Sequence, residues 1–393
     1  MLSIRLVQVG LLFAAKAMIA AATKQCVDFS VPVPVVSTNN NYSMPRVDSN
    51  IDAVQWALNF SVWNALTPDQ RNQGLLPIKD TFNISARLCV PTTKNDKSDI
   101  LQIAVQGNGW DKRYWDVEVK PEEHSYVDAV ISKGYPILMF DRIGTGKSSI
   151  PNPYYVVQAG TDVEVLAQIT AMVRNGTLLS SATFDPATDP VTVPELNPKQ
   201  IVHVGHSFGA LLIAGLLTQH GNLSDGALLT GFLPSTHQTD NPVATFEHDF
   251  APVHDPARFG QFPSGYIVLT SENTLQKVYF TKDVLDPEVL TWTEKVKQPE
   301  AVALYASSAQ AFANPGPAFG GPVQLFVGDS DFVNCNGHCE GTYSLEDIKN
   351  QMFPGAINVT VVLQPNTGHA LTISKNATAG FEVMFSFLEE YDL

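Results

Sequence analysis

The segment Gly205-His206-Ser207-Phe208-Gly209 combines residue types and spacing that could do chemistry, and its flanks support it. An apolar run, Ile201 to Val204, leads into it, and a helical apolar run, Ala210 to Leu217, follows. A serine on a strand-to-helix turn is forced into a strained backbone conformation that lifts its hydroxyl above the sheet. The flanking glycines are needed where neighbouring backbone leaves no room for a Cβ atom. Serine is inert at its own pKa and needs a base that is itself held by an acid, in the chain order Ser, Asp or Glu, His. Of the nine histidines, His369 alone falls past the last predicted strand and before a C-terminal helix, where a base would hang over Ser207. His338 is boxed between Cys335 and Cys339, and His206, next to Ser207 in sequence, is expected to point away.

The acid is expected in Val327-Gly328-Asp329-Ser330-Asp331-Phe332, which leaves a core strand. Asp331, a few residues beyond the strand end, is the expected carboxylate, with Asp329 as the alternative. A developing oxyanion needs two backbone N–H donors. Phe208, the residue after the nucleophile, supplies one. The loop Gln106-Gly107-Asn108-Gly109-Trp110 is expected to supply the other from Asn108.

These residues must be held at the ends of strands, and the chain provides them from about residue 80 onward. Residues 82–90 alternate with period two, while 100–105, 135–140, 200–204, 227–232, 323–327 and 359–363 are denser apolar runs suited to strands covered on both faces. Helical spacing is found over 124–132, 161–174, 210–217 and 379–391. Strands alternating with helices predict an α/β architecture, a mainly parallel sheet with helices on both faces. Residues 179–199, rich in Pro, Thr and Asp, read as an exposed excursion. Residues 234–320 interrupt the rhythm and are expected to form a cap over the C-terminal edge of the sheet, a decorated crossover being the alternative. The organisation expected is therefore a leader over 1–22, core over 23–233, cap over 234–320, and core over 321–393.

Composition narrows the setting. The chain has 393 residues, 44% of them hydrophobic, enough for one large core. Its formal charge is −15, a field that disfavours nucleic acid and anionic membranes as partners. Arg5, the apolar run Leu6 to Ala15 and the small residues Ala20 to Ala22 have the layout of a cleaved secretory signal, although Lys16 interrupts it. Cleavage would remove two cations and take the charge from −15 to −17. Seven glycosylation sequons, at Asn41, Asn59, Asn83, Asn175, Asn222, Asn358 and Asn376, fit a secreted, extracellular protein. The four cysteines suggest two bridges, most simply Cys26–Cys89 and Cys335–Cys339. Cys335, His338 and Cys339 could instead ligate a metal, but no second cluster accompanies them and their spacing is unusual for structural zinc. No metal or cofactor is expected.

Gln106-Gly107 stands where α/β hydrolases of the large "hydrolase-1" group usually carry His-Gly, and Asp141-Arg142-Ile143-Gly144-Thr145-Gly146-Lys147-Ser148 is similar to that group's D-R-x-G-x-G-x-S signature. With the serine turn, the Gly328/Asp331 turn and Gly368-His369 in the group's order, residues 80–390 resemble this superfamily, and in particular the secreted hydrolases common in filamentous fungi. The resemblance implies acyl transfer to water without a cofactor, carried out by a monomer on a small neutral or apolar ester. The rival readings are an exopeptidase, with Glu247, Asp249 and Asp255 holding a substrate ammonium, a thioesterase or lactonase, and a non-catalytic binding protein. An intact Ser207, Asp331 and His369 argues against the last. Serine at the turn disfavours the epoxide-hydrolase and dehalogenase branches, which use aspartate there. Gly146-Lys147-Ser148 imitates the end of a phosphate-binding loop, but Asp141 stands where that motif needs glycine, and Pro151 and Pro153 stand where it needs a helix.

Overall fold

The computed structural model describes residues 24–185, 195–237 and 245–393; the expected leader over 1–22 lies outside them. The strands in chain order are β1 (Lys24–Tyr42), β2 (Asn72–Pro91), β3 (Ile100–Val105), β4 (Ile137–Phe140), β5 (Thr183–Phe184), β6 (Gln200–His206), β7 (Gly226–Thr230), β8 (His248–Phe250), β9 (Tyr266–Leu269), β10 (Glu300–Ala301), β11 (Val323–Gly328) and β12 (Val359–Gln364). The longer helices are α1 (Asn50–Ser61), α2 (Tyr126–Ser132), α3 (Ala159–Arg174), α4 (Phe208–Gln219), α5 (Glu272–Tyr279), α6 (Pro287–Val296) and α7 (Ala377–Glu390).

Nine strands form one sheet in the order β12-β11-β7-β6-β3-β4-β2-β1-β5. The six from β12 to β4 run parallel. Their continuous apolar sequences follow from burial on both faces. In β3 all six residues are buried: Leu101, Ile103 and Val105 join the core under α3 and α4, while Ile100 and Ala104 join the core under α2 and α7. Parallel strands carry their C-terminal ends to one edge, where ligands bind in such sheets. The segments after β3, β6, β11 and β12 all emerge there.

The region before residue 80 departs from the sequence reading. β1 and the first half of β2, for which no strands were expected, form a long antiparallel pair, Cys26 opposite Cys89 and Asn40 opposite Leu75. Val31, Val33 and Val35 alternate inward, while Pro32 and Pro34 face solvent. Proline cannot donate to a ladder, and β1 tolerates two because its outer side pairs only with the two-residue β5. β5 gives the 179–199 stretch an ordered start; residues 186–194 are not described.

The stretch between β7 and β11 contains a second, three-stranded antiparallel sheet, β10-β9-β8, with α5 and α6. Helix α1 packs on it through Ala53 and Trp56, in a cluster with Val47, Tyr154, Phe250, Ile267 and Val302. The N-terminal segment between β1 and β2 thus adds to the inserted layer. Among the described residues, no helix is long and apolar enough to cross a membrane.

Candidate active site

Ser207 sits between β6 and α4 with φ 54° and ψ −120°, a left-handed conformation that a non-glycine residue adopts only under constraint. The two glycines of the turn have separate reasons. A Cβ on Gly205 would lie 2.5 Å from Ala210 Cα, and one on Gly209 would lie 2.2 Å from the Val105 carbonyl oxygen. Gly209→Ala must therefore push α4 off the end of β3, at a cost of order 1–3 kcal/mol. A lower melting temperature is expected for that variant, against no change for Gly320→Ala, whose Cβ would meet nothing within 4 Å.

His369 Nε2 lies 2.8 Å from Ser207 Oγ, and its Nδ1 lies 2.7 Å from Asp331 Oδ2. All three side chains belong to the segments leaving β6, β11 and β12. Asp331 is fully buried and also accepts from the Asn334 amide N–H at Oδ1 (2.9 Å) and from Asn334 Nδ2 at Oδ2 (2.7 Å). Burial works against its ionisation, but His369 and these donors outweigh it and hold the carboxyl below the usual range. Asp329 is turned elsewhere, accepting from Ser330 Oγ at 2.8 Å and the Thr367 N–H at 3.3 Å. The His206 side chain is directed at Thr230, 3.3 Å from its Oγ1, and packs beside His369. Its ring stacks on Tyr114 with centroids 4.5 Å apart and lies 5.0 Å from the His369 ring. Burial, then His369, pushes His206 well below the usual histidine range, so it is neutral.

Phe208 opens α4, whose first amides have no partner within the helix. Gly107 packs so close to the serine that a Cβ there would lie 2.9 Å from Ser207 Cβ, which brings the following Asn108 beside Ser207. Arg142, from the signature segment, donates to Asn108 Oδ1 at 2.7 Å, and Tyr279 OH donates to the Asn108 carbonyl at 3.1 Å. The arginine is fixed in turn by Asp162 at 3.1 Å; burial pushes that carboxyl up to about 6 despite its partner. Gln106, in the amide orientation that satisfies both neighbours, donates to the Phe140 carbonyl and accepts from the Arg142 N–H. Glutamine therefore braces this loop against the end of β4. The rest of the signature is a folding knot: Asp141 accepts from Lys112 Nζ at 2.8 Å and the Lys147 N–H at 3.0 Å.

Disulfides join Cys26 to Cys89 and Cys335 to Cys339. The second removes both thiolates that a metal at Cys335, His338 and Cys339 would need, and its Cys339 N–H donates to the Asp329 carbonyl at 2.9 Å, bracing the loop that carries Asp331.

A cavity of about 200 Å³ opens at the serine, lined by Asn108, Phe208, His369 and apolar side chains that include Leu211, Phe246 and Val278. The inserted segment supplies much of its wall. The carboxylates proposed to hold an ammonium are absent from that wall. Glu247 pairs with Lys277 at 3.1 Å, Asp249 with His254 at 2.9 Å, and Asp255 caps the short helix Pro256–Phe259. The acid that does line the cavity is Glu300, on β10, which the sequence reading passed over. Asn334, Arg142 and Asp162 were also missed as supports; only Arg142 had a signal, its place in the signature.

A family model described as "Alpha/beta hydrolase family" matches residues 103–379, and the chain belongs to that family. Among solved structures, a carboxylesterase of the ammonia-oxidizing thaumarchaeon Nitrososphaera gargenis is similar at 12% identity, with a TM-score of 0.51 over 79% of this chain and 96% of that one. The enol-lactonase of Burkholderia xenovorans LB400 is similar at 16% identity, with a TM-score of 0.49 over 78% of this chain and 97% of that one. At 12% identity the likeness to the carboxylesterase is one of fold. No curated protein sequence matches the chain.

Proposed function

We propose that this protein is a secreted serine hydrolase that cleaves a carboxylic ester through Ser207, His369 and Asp331. The observation that carries the reading is the continuous hydrogen-bonded line from Asp331 through His369 to Ser207, ending at the mouth of a cavity whose wall is mainly apolar. His369 takes the Ser207 proton as Oγ bonds to the ester carbonyl carbon, and the Phe208 and Asn108 amides receive the oxyanion. The C–O bond then breaks, His369 protonates the departing alcohol, and the acyl group stays on Ser207. Water attacks that ester with His369 again as base, releasing the acid and restoring the serine.

Residues 234–320 act as a cap in this reading, and they restrict the acyl group. The cavity is smaller than the ~300–1,000 Å³ of typical ligand pockets, so short acyl chains are favoured. A p-nitrophenyl ester series tests this: kcat/KM should peak at two to four acyl carbons and fall steeply by eight, and a peak at long chains would contradict it. Two disulfides agree with an oxidising compartment. Asn83, Asn175 and Asn222 are exposed, whereas Asn358 Nδ2 donates to Tyr391 OH and Asn376 Nδ2 donates to Thr367 Oγ1 at 2.7 Å. Glycopeptide mapping of the protein recovered from medium should find sugar on the first three and none on Asn358 or Asn376, whose amides the fold uses.

A further inference from the structure

We propose that Glu300 is the specificity-determining residue of this cavity and that it receives a protonated amine carried by the acyl part of the substrate. The inference rests on Ser207 being the nucleophile and names what that nucleophile acts on: an ester or amide of a small amino acid.

The case begins with what surrounds the carboxyl. Glu300 is 3% exposed and lines the same small cavity as Ser207 and His369. Its Oε1 comes so near the loop bearing Asn108 that a Cβ on Gly109 would meet it at 3.1 Å. Oε2 accepts a hydrogen bond from Tyr305 OH. Tyr305 in turn lies 3.1 Å from His248 Nε2, so a neutral His248 donating there completes a chain aimed at the acid. Burial holds His248 down at about 3, which leaves it uncharged. Trp56 of α1 packs edge-on against both rings, at 6.1 Å from His248 and 5.4 Å from Tyr305. The carboxyl is thus oriented by three layers of side chains.

A buried acid that serves only the fold is normally paired with a cation. Glu300 has none. Among the described residues no lysine or arginine nitrogen lies within 4.0 Å of it, and Arg142, which does feel its charge, is bonded to Asp162. Burial pushes the Glu300 carboxyl up to about 7, Tyr305 and Arg142 pulling the other way. An ammonium brought in by substrate would pair with the ionised carboxylate in a dry site, where charge-assisted hydrogen bonds are strongest. The rest of the wall is mainly apolar, with Leu211, Phe246, Leu269 and Leu304 suited to a small aliphatic side chain. The net negative charge of the chain favours the approach of a cation.

The test compares ethyl alaninate and ethyl β-alaninate with their methyl-for-ammonium isosteres, ethyl isobutyrate and ethyl butyrate, near neutral pH. The readout is the ratio of kcat/KM for amino ester over isostere in the wild type and in Glu300→Gln; the intrinsic reactivity of each ester cancels between the two proteins. For at least one pair the ratio should drop by roughly 10–100-fold in the variant, as expected for loss of a hydrogen bond to a charged group. A ratio that moves less than about 3-fold in both pairs overturns the proposal. If the variant does not fold, the wild type alone decides: propylammonium should inhibit ethyl butyrate hydrolysis at roughly tenfold lower concentration than 1-propanol, and equal inhibition sinks the idea. Fluorophosphonate labelling of Ser207 runs alongside. Labelled protein with an unchanged ratio refutes the role of Glu300 alone, while failure to label refutes the reading beneath it.

Discussion

Ser207→Ala is expected to lower kcat on an ester substrate by roughly 10⁴-fold or more, with KM little changed. The size follows from what is removed. Without Oγ there is no atom for the acyl group to bond, and the residual rate is that of water in the oxyanion site. Alanine has the same Cβ and fits the space that serine occupies, so the fold is expected to survive. Its hydroxyl makes its hydrogen bond to His369, and α4 is not capped by it, so little stability is lost. A circular dichroism spectrum like that of the wild type, with kcat reduced by the stated factor, is the expected pair of results. A reduction below about tenfold would point to another nucleophile.

Asp331→Asn is the second large effect, a loss on the order of 10²–10⁴ in kcat. The carboxylate receives two hydrogen bonds from Asn334 and one from His369, so it is an acceptor on every side. An asparagine amide must turn one NH₂ toward a donor, and if it faces His369 it imposes the wrong tautomer. The imidazolium formed during catalysis also loses its counter-charge. Asp329→Asn should cost far less, because Asp329 contacts Ser330 and the Thr367 N–H and not the imidazole. Equal or reversed effects in the two variants would contradict the placement of the acid.

The elements that were legible in the sequence are those whose constraint is local. Gly205 reports a close approach to Ala210 within the same turn, Gly209 shows as the partner glycine of that turn although it packs on Val105 of β3, and the dense apolar runs of β3, β6 and β11 report burial on both faces. The position of His369 after the last strand is legible as well, and the structure places its ring between Ser207 and Asp331. The choice between Asp331 and Asp329 depends on how the turn after β11 folds, which periodicity does not encode. β1 was hidden by Pro32 and Pro34, residues that argue against a strand unless its outer side is free. The second sheet was hidden because its strands are only two to four residues long. Glu300 belongs to no motif; its signal is an acid at the head of the apolar stretch Ala301 to Leu304, and its meaning appears only when Tyr305 and the cavity are assembled around it.

The most direct measurement of the central claim is the intact mass of the wild-type protein after brief treatment with a fluorophosphonate, followed by peptide mapping of the adduct. One added phosphonyl group per chain is expected, on the peptide containing Ser207, and none on Ser207→Ala. An adduct on another residue, labelling that persists in the variant, or an unmodified wild type would contradict the assignment of Ser207 as the nucleophile.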